Sequence, residues 1–159
     1  MSPILTNPKT ILVIEDDNAL LGAITAKLDK TNFTVISARS VDEVFTKDFF
    51  PEESTAIISP LSITSVLDHL QNLTKIDAIW LDHNLIGGDD GLDFIVKFKA
   101  NGGTWSTIPI FVVSNSANPD LIKTYAEIGI NHYYLKAEHR LEDIVSDIVT
   151  ALETETAVQ

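Results

Sequence analysis

Ile11-Leu12-Val13-Ile14-Glu15-Asp16-Asp17-Asn18 is the stretch that decides the fold. Its first four residues form a short, continuous, β-branched run, the pattern of a strand covered on both faces. The run ends abruptly in side chains able to cap a helix, and Leu20, Leu21, Ile24 and Leu28 follow at the spacing of one apolar helical face. A buried strand feeding straight into a helix is one repeat of a layered α/β structure.

The same unit recurs outward from that point. Phe33 to Ser37 reads as a second strand, with Val41, Val44 and Phe45 opening the next helix. Ile76 to Leu81 is a third strand, ending at Asp82. Leu92, Ile95, Val96 and Lys99 mark a helix closed by Asn101-Gly102-Gly103. Ile108-Pro109-Ile110-Phe111-Val112-Val113 is a fourth strand. Asn118-Pro119-Asp120 then supplies a capping side chain, a first-turn proline and an acid facing the helix dipole. That helix stops at Gly129, and Ile130 to Leu135 makes a fifth strand. In the last helix Leu141, Ile144, Val145, Ile148, Val149 and Leu152 share one face, and the tail from Glu153 to Gln159 is expected to fray.

Parallel neighbours need crossover helices, so these elements predict a doubly wound five-stranded parallel sheet. The whole chain, 1–159, reads as a single domain with a core of about residues 9–152. Lys47 to Lys75 is too long for one short helix and turn. It holds Phe49-Phe50-Pro51, a β-like Ala56-Ile57-Ile58, and a helical pattern of Ile63, Val66, Leu67, Leu70 and Leu73. It reads as a lengthened crossover that adds packing, with a partner-binding insert as the alternative.

Composition narrows the function. With 45% hydrophobic and 21% charged residues the chain has a globular balance. The net charge of −12 repels phosphate backbones and anionic lipid, which argues against direct nucleic-acid or membrane binding. Cysteine is absent, so disulfides and thiol-based metal or redox sites are excluded. The N-terminal residues show no signal-peptide pattern and no apolar run is long enough to span a bilayer, so a cytoplasmic location is expected.

Ligands of such sheets sit beyond the carboxyl ends of the strands. Glu15 and Asp16 follow the first strand and Asp82 ends the third, so three carboxylates converge on one edge. Alone they repel one another. A hard divalent cation resolves the repulsion, and a site of few carboxylates that keeps its water suits Mg²⁺. Ser114 ends the fourth strand and Lys136 the fifth, adding a hydroxyl and an ammonium to the same rim. Acids, metal, hydroxyl and cation together suit phosphoryl transfer. Each has an ordinary alternative: an acid pair before a helix is usually a cap, a strand-end lysine is usually solvated, and Tyr133 is by default packing. His69, His83, His132 and His139 show no ligand spacing and read as surface or loop residues, while Trp80 and Trp105 read as packing.

The motifs resemble those of the response regulator receiver family over most of the chain. They are Ile11 to Asp17, Ile79-Trp80-Leu81-Asp82 followed by Asp90-Gly91-Leu92, Ile108 to Ser114, and Tyr133-Tyr134-Leu135-Lys136. The resemblance implies a flavodoxin-like strand order 2-1-3-4-5 and a single-domain phosphoprotein of a two-component phosphorelay. Asp82 would be the phosphoacceptor. Asp16 would bind Mg²⁺ directly, Glu15 would help mostly through water, and the backbone carbonyl of Asn84 would be a further ligand. Ser114 would follow the phosphoryl group, Lys136 would contact it, and Tyr133 would be the switching aromatic. Asp17 aligns with a variable position and takes no metal role. The expected partners are a histidine kinase or phosphotransfer protein and, downstream, a protein bound at the face of the fourth helix, fifth strand and fifth helix, or a second copy of the chain. Such a protein is not an enzyme in the ordinary sense, although it assists its own phosphoryl transfer and loss.

Three departures from the family pattern stand out. Ala137 follows Lys136 where the family usually has a cis proline; a cis bond before a non-proline residue costs about 2.5–4 kcal/mol, so a trans bond is expected. The loop after Asp82 has Ile86 where a proline is common and is one residue longer, a change Gly87 and Gly88 can absorb. Asn115 replaces a small residue beside Ser114 and would slow access to the site. These departures keep an alternative open, a receiver-like interaction module with little or no phosphorylation. A phosphatase of the haloacid dehalogenase class would want an Asp two residues after its nucleophile, where Asn84 stands. A flavodoxin-type FMN protein would want a hydroxyl-rich loop in place of Glu15-Asp16-Asp17.

Overall fold

The computed structural model describes residues 3–46, 76–100 and 107–158. Among these residues five strands alternate with five helices: β1 (Lys9–Ile14), α1 (Asn18–Asp29), β2 (Phe33–Ala38), α2 (Val41–Thr46), β3 (Ile76–Asp82), α3 (Gly91–Ala100), β4 (Ile110–Ser114), α4 (Pro119–Glu127), β5 (His132–Leu135) and α5 (Leu141–Val158). The strands form one parallel sheet in the order β2-β1-β3-β4-β5, as the sequence predicts. The lengthened crossover at 47–75, the Asn101-Gly102-Gly103 stop, His69 and Trp105 lie outside the described residues.

Residue parity along the strands divides the core in two. Ile11, Val13, Trp80, Phe111 and Val113 point to one face, where Ile24 and Leu28 of α1 and Ile144, Val145, Ile148 and Val149 of α5 cover them. Leu12, Ile14, Ile79, Leu81 and Val112 point to the other, beneath Val41 and Val44 of α2, Phe94, Ile95 and Phe98 of α3, and Tyr125 of α4. Both sheet faces are therefore buried, which is what the continuous apolar runs require. Trp80 is fully buried, a packing residue as expected. Among the described residues no helix is long and apolar enough to cross a membrane.

Local chemistry sets the helix starts. The Asp17 carboxylate accepts from the Leu20 amide and caps α1. Asn118 caps α4 through the Asp120 amide, with Pro119 in the first turn. Asp90 and Asp93 cap α3 reciprocally, each side chain accepting from the other's backbone N–H at 3.0 and 2.8 Å.

Three elements differ from their sequence reading. The buried face of α3 is Phe94, Ile95 and Phe98, with the two phenyl rings stacked, and Val96 is exposed. Two bulky aromatics i, i+4 outweigh the branched aliphatics in setting the helix rotation. The core also begins earlier than Lys9, because Leu5 is buried and its amide donates to the Thr31 carbonyl. At the other end α5 continues to Val158 instead of fraying at Glu153. The Glu153 carboxylate accepts from both the amide and the hydroxyl of Thr6, so the N-terminal segment ties down the last turns of the helix.

Gly91 opens α3 directly behind the end of β3. A Cβ there would lie 3.1 Å from the His83 Cα, 3.2 Å from the Asp82 carbonyl oxygen and closer still to the Tyr125 hydroxyl. Two of these neighbours are backbone and cannot give way cheaply. Gly91→Ala should therefore cost about 1–3 kcal/mol as overpacking, lowering the melting temperature by about 2–12 °C in a thermal denaturation experiment. Gly22 on α1 has nothing within 4 Å of its Cβ position. Gly22→Ala should instead stabilise the protein, by about 0.5–1 kcal/mol.

Candidate functional site

The parallel register brings the carboxyl ends of β1, β3, β4 and β5 to one edge. Ile14 pairs with Leu81, Asp82 with Val113, and Ser114 with Leu135, so Glu15, Asp82, Ser114 and Lys136 line up across four adjacent strands. Glu15 is 1% exposed, Asp82 3% and Ser114 0%, although all three are polar. Polar groups are withdrawn from water in this way only when partners compensate them.

Lys136 is the compensating group. Its ammonium lies 3.2 Å from Glu15 Oε2 and 3.4 Å from Asp82 Oδ2, bridging two carboxylates that belong to different strands. The peptide bonds of the described residues are all trans, the Lys136–Ala137 bond among them. Proline at 137 is thus unnecessary for the lysine to reach the acids. The Lys136 amide donates to the Ser114 carbonyl at 2.8 Å, and Glu138 and His139 donate to Leu135, closing a turn that aims the side chain inward.

One ammonium does not balance this cluster. Burial above all, and then the Asp82 charge, pushes the Glu15 carboxyl up to about 7. Burial likewise raises Asp82, with Lys136 pulling in the opposite direction. Asp16 is half-buried at the edge of the same group, and Glu15, Asp16 and Asp82 each offer an oxygen within 4.8 Å of the others. Such a set of hard oxygen donors, carrying more negative charge than the protein neutralises, fits a divalent cation. Asp17 stands outside it as the α1 cap, in keeping with its sequence assignment. The exposed Arg39 at the end of β2 donates to the Asp16 carbonyl, helping to fix the turn that presents that acid.

Ser114 and Tyr133 meet through a residue that sequence reasoning passed over. The Ser116 amide donates to Ser114 Oγ at 3.0 Å, and the Tyr133 hydroxyl donates to the Ser116 carbonyl at 2.8 Å. The two expected switch residues are thus joined by one peptide segment of the β4–α4 loop. Asn84 is exposed, and its amide approaches Asp82 Oδ1 at 3.4 Å, so the backbone after β3 curls toward the acids. Gly87 and Gly88 both adopt positive φ in that loop, conformations that glycine takes without steric cost.

His83 lies in the loop after β3, in keeping with its sequence reading, but has a partner the sequence did not reveal. It is half-buried, its Nδ1 lies 2.7 Å from the hydroxyl of the fully buried Tyr125, and its ring meets that of Tyr125 edge-on. Tyr125 in turn packs its ring against Tyr133 at 5.6 Å. A lone histidine and a lone helical tyrosine, far apart in sequence, carry no pattern that pairs them. His132 stacks on Phe111, and His139 remains exposed with Nδ1 against the Leu135 carbonyl.

Known proteins share this arrangement of elements. No protein-family model matches the sequence, and no curated protein does. Among solved structures, the phosphorylated cyanobacterial phytochrome response regulator RcpA is 25% identical, with 92% of this chain and 91% of that one covered at a TM-score of 0.63. A CheY-like response regulator receiver domain protein from Methanospirillum hungatei JF-1 matches over 96% of this chain and all of its own, with 16% identity and a TM-score of 0.70. The Mn²⁺-bound form of response regulator Rcp1 is 22% identical over 92% of this chain and 93% of its own, with a TM-score of 0.59. What this chain has in common with them is the receiver-domain fold, with its strand order.

The crowding of buried acids has a measurable consequence. Asp82→Asn removes one of the uncompensated charges and should raise the metal-free melting temperature by about 2–4 °C for each kcal/mol of repulsion relieved. A divalent cation should stabilise the wild type in a thermal shift assay and leave Asp82→Asn almost unmoved; an equal shift in both would place the cation elsewhere.

Proposed function

We propose that this receiver domain is a phosphoacceptor of two-component signalling, with Asp82 taking the phosphoryl group and Mg²⁺ as its cofactor. The observation that carries the reading is the Lys136 ammonium held between buried Glu15 and Asp82 on the edge where Ser114 also ends its strand. This edge has a nucleophilic carboxylate, a cation for the transferring oxygens, a hydroxyl donor and a cluster of metal-binding oxygens. Those are the parts in-line phosphoryl transfer uses.

In this reading an Asp82 carboxylate oxygen attacks the phosphorus of a phosphohistidine. The new O–P bond forms as the P–N bond breaks, and the imidazole leaves with the bonding pair. Lys136 exchanges its contact with Asp82 for one with a phosphoryl oxygen, and Ser114 Oγ gives up the Ser116 amide to donate to another. A bound Mg²⁺, held by Asp16 and Asp82, through water by Glu15, and by the Asn84 carbonyl, would neutralise charge building on the phosphoryl oxygens.

Moving Ser114 Oγ would free the Ser116 amide, and the segment that also anchors the Tyr133 hydroxyl would be released with it. Tyr133 could then turn inward, changing the face made by α4, β5 and α5. That face is the proposed contact for a downstream protein or a second copy of the chain, and a histidine kinase or phosphotransfer protein is the proposed donor. The change is a shift between two packings, biased by phosphoryl contacts that only one of them offers. The domain is thus a signalling acceptor that assists its own phosphoryl transfer and loss, acting in the cytoplasm.

Incubation with acetyl phosphate and Mg²⁺ should add one phosphoryl group by intact mass. Chelation of the metal and Asp82→Asn should each abolish the gain, and Lys136→Ala should reduce its rate by about tenfold or more, the scale on which loss of one charge-stabilising group acts. Continued labelling of Asp82→Asn would sink the assignment.

A further inference from the structure

We propose that Tyr125 is a positioning residue for the metal-binding loop, acting through His83 to tie helix α4 to the backbone that follows Asp82. The inference rests on the reading that this loop, through Asn84, helps to hold the cation.

Five observations carry it. Tyr125 is fully buried, yet its hydroxyl faces the loop end of β3 and not the core. That hydroxyl lies 2.7 Å from His83 Nδ1, and His83 is the residue between the acceptor carboxylate and Asn84. The imidazole is constrained on its other side by the Asp90 carboxylate, 3.9 Å from Nε2. The His83 carbonyl also accepts from the Gly91 amide at 2.9 Å, so side chain and main chain of His83 are fixed by two helices at once. Gly91 has no Cβ where one would collide with the tyrosine hydroxyl, so the close approach is built into the sequence of α3 as well.

The mechanical result is a strut. With His83 fixed, the peptide that carries the proposed Asn84 ligand has little freedom, and the loop with its two positive-φ glycines flexes only beyond that point. Because Tyr125 belongs to α4 and packs on Tyr133, a displacement of α4 pulls on the same peptide. Coupling of this kind is reciprocal: whatever repositions α4 alters cation affinity, and the bound cation biases α4 by the same factor.

The test uses Mn²⁺ as the probe, in the full chain, so that it stands apart from phosphoryl uptake. Tyr125→Phe deletes the hydroxyl and keeps the ring. It should weaken Mn²⁺ binding by about tenfold, the lower end of the range for an outer contact that orients a ligand. His83→Ala should do the same, and the double variant should be no worse than either, because both break one link. Amide exchange at residues 83–91 should quicken in both variants while exchange in β1 and β4 stays as in the wild type, which a general loss of stability would not give. In acetyl phosphate labelling, the Mg²⁺ concentration for half-maximal rate should rise and the plateau rate should hold. Unchanged Mn²⁺ affinity in Tyr125→Phe, or additive losses in the double variant, would overturn the strut. A wild type that binds Mn²⁺ with these dependences but takes up no phosphoryl group would leave the strut standing and sink the phosphoacceptor reading alone.

Discussion

The Lys136 ammonium between the Glu15 and Asp82 carboxylates is the contact on which the site depends. It makes tolerable what the fold imposes, namely acids at the ends of adjacent strands where neither can reach bulk water. The neutralisation is partial. Burial leaves Glu15 with a carboxyl that ionises with difficulty, and Asp82 is raised in the same sense. An edge kept short of positive charge in this way suits a cation.

The sheet accounts for how few residues are needed to build that edge. Parallel strands in register end together, so one residue after each apolar run contributes one functional side chain. The helices take no direct part in this, but their caps fix where each strand stops. Asp17 ends the acidic turn after β1 by committing its carboxylate to α1, and the Asp90–Asp93 pair ends the loop after Asp82 by committing both to α3. Acids that look interchangeable in the sequence are thereby sorted into those that cap and those left free to bind.

Much of this was legible in the sequence because strand ends can be read directly. Ile11 to Ile14, Ala78 to Leu81 and Ile108 to Val113 are continuous apolar runs, and the residues that follow them are the ones the fold gathers. Edges of elements were less legible. The rotation of α3 was set by Phe94 and Phe98, whose bulk a simple periodic pattern does not weigh, and the last turns of α5 were held by Thr6, at the far end of the chain. The partnership of His83 with Tyr125 was hidden for the same reason: forty-two positions separate them, and only the tertiary fold makes them neighbours. The substitution of Ala137 for proline mattered less than its position suggested, since Lys136 is aimed by the main-chain bonds of its own turn.

Ser116 links Ser114 to Tyr133 through its amide and its carbonyl, using nothing that is specific to serine. The connection between those two side chains is therefore made by the main chain. A different side chain at that position would still offer both main-chain groups, although the serine hydroxyl also accepts from the Asn118 amide. Proline is the exception, since it alone lacks the N–H that Ser114 requires. A contact carried by main-chain groups in this way is kept by the shape of the loop more than by the letters that spell it.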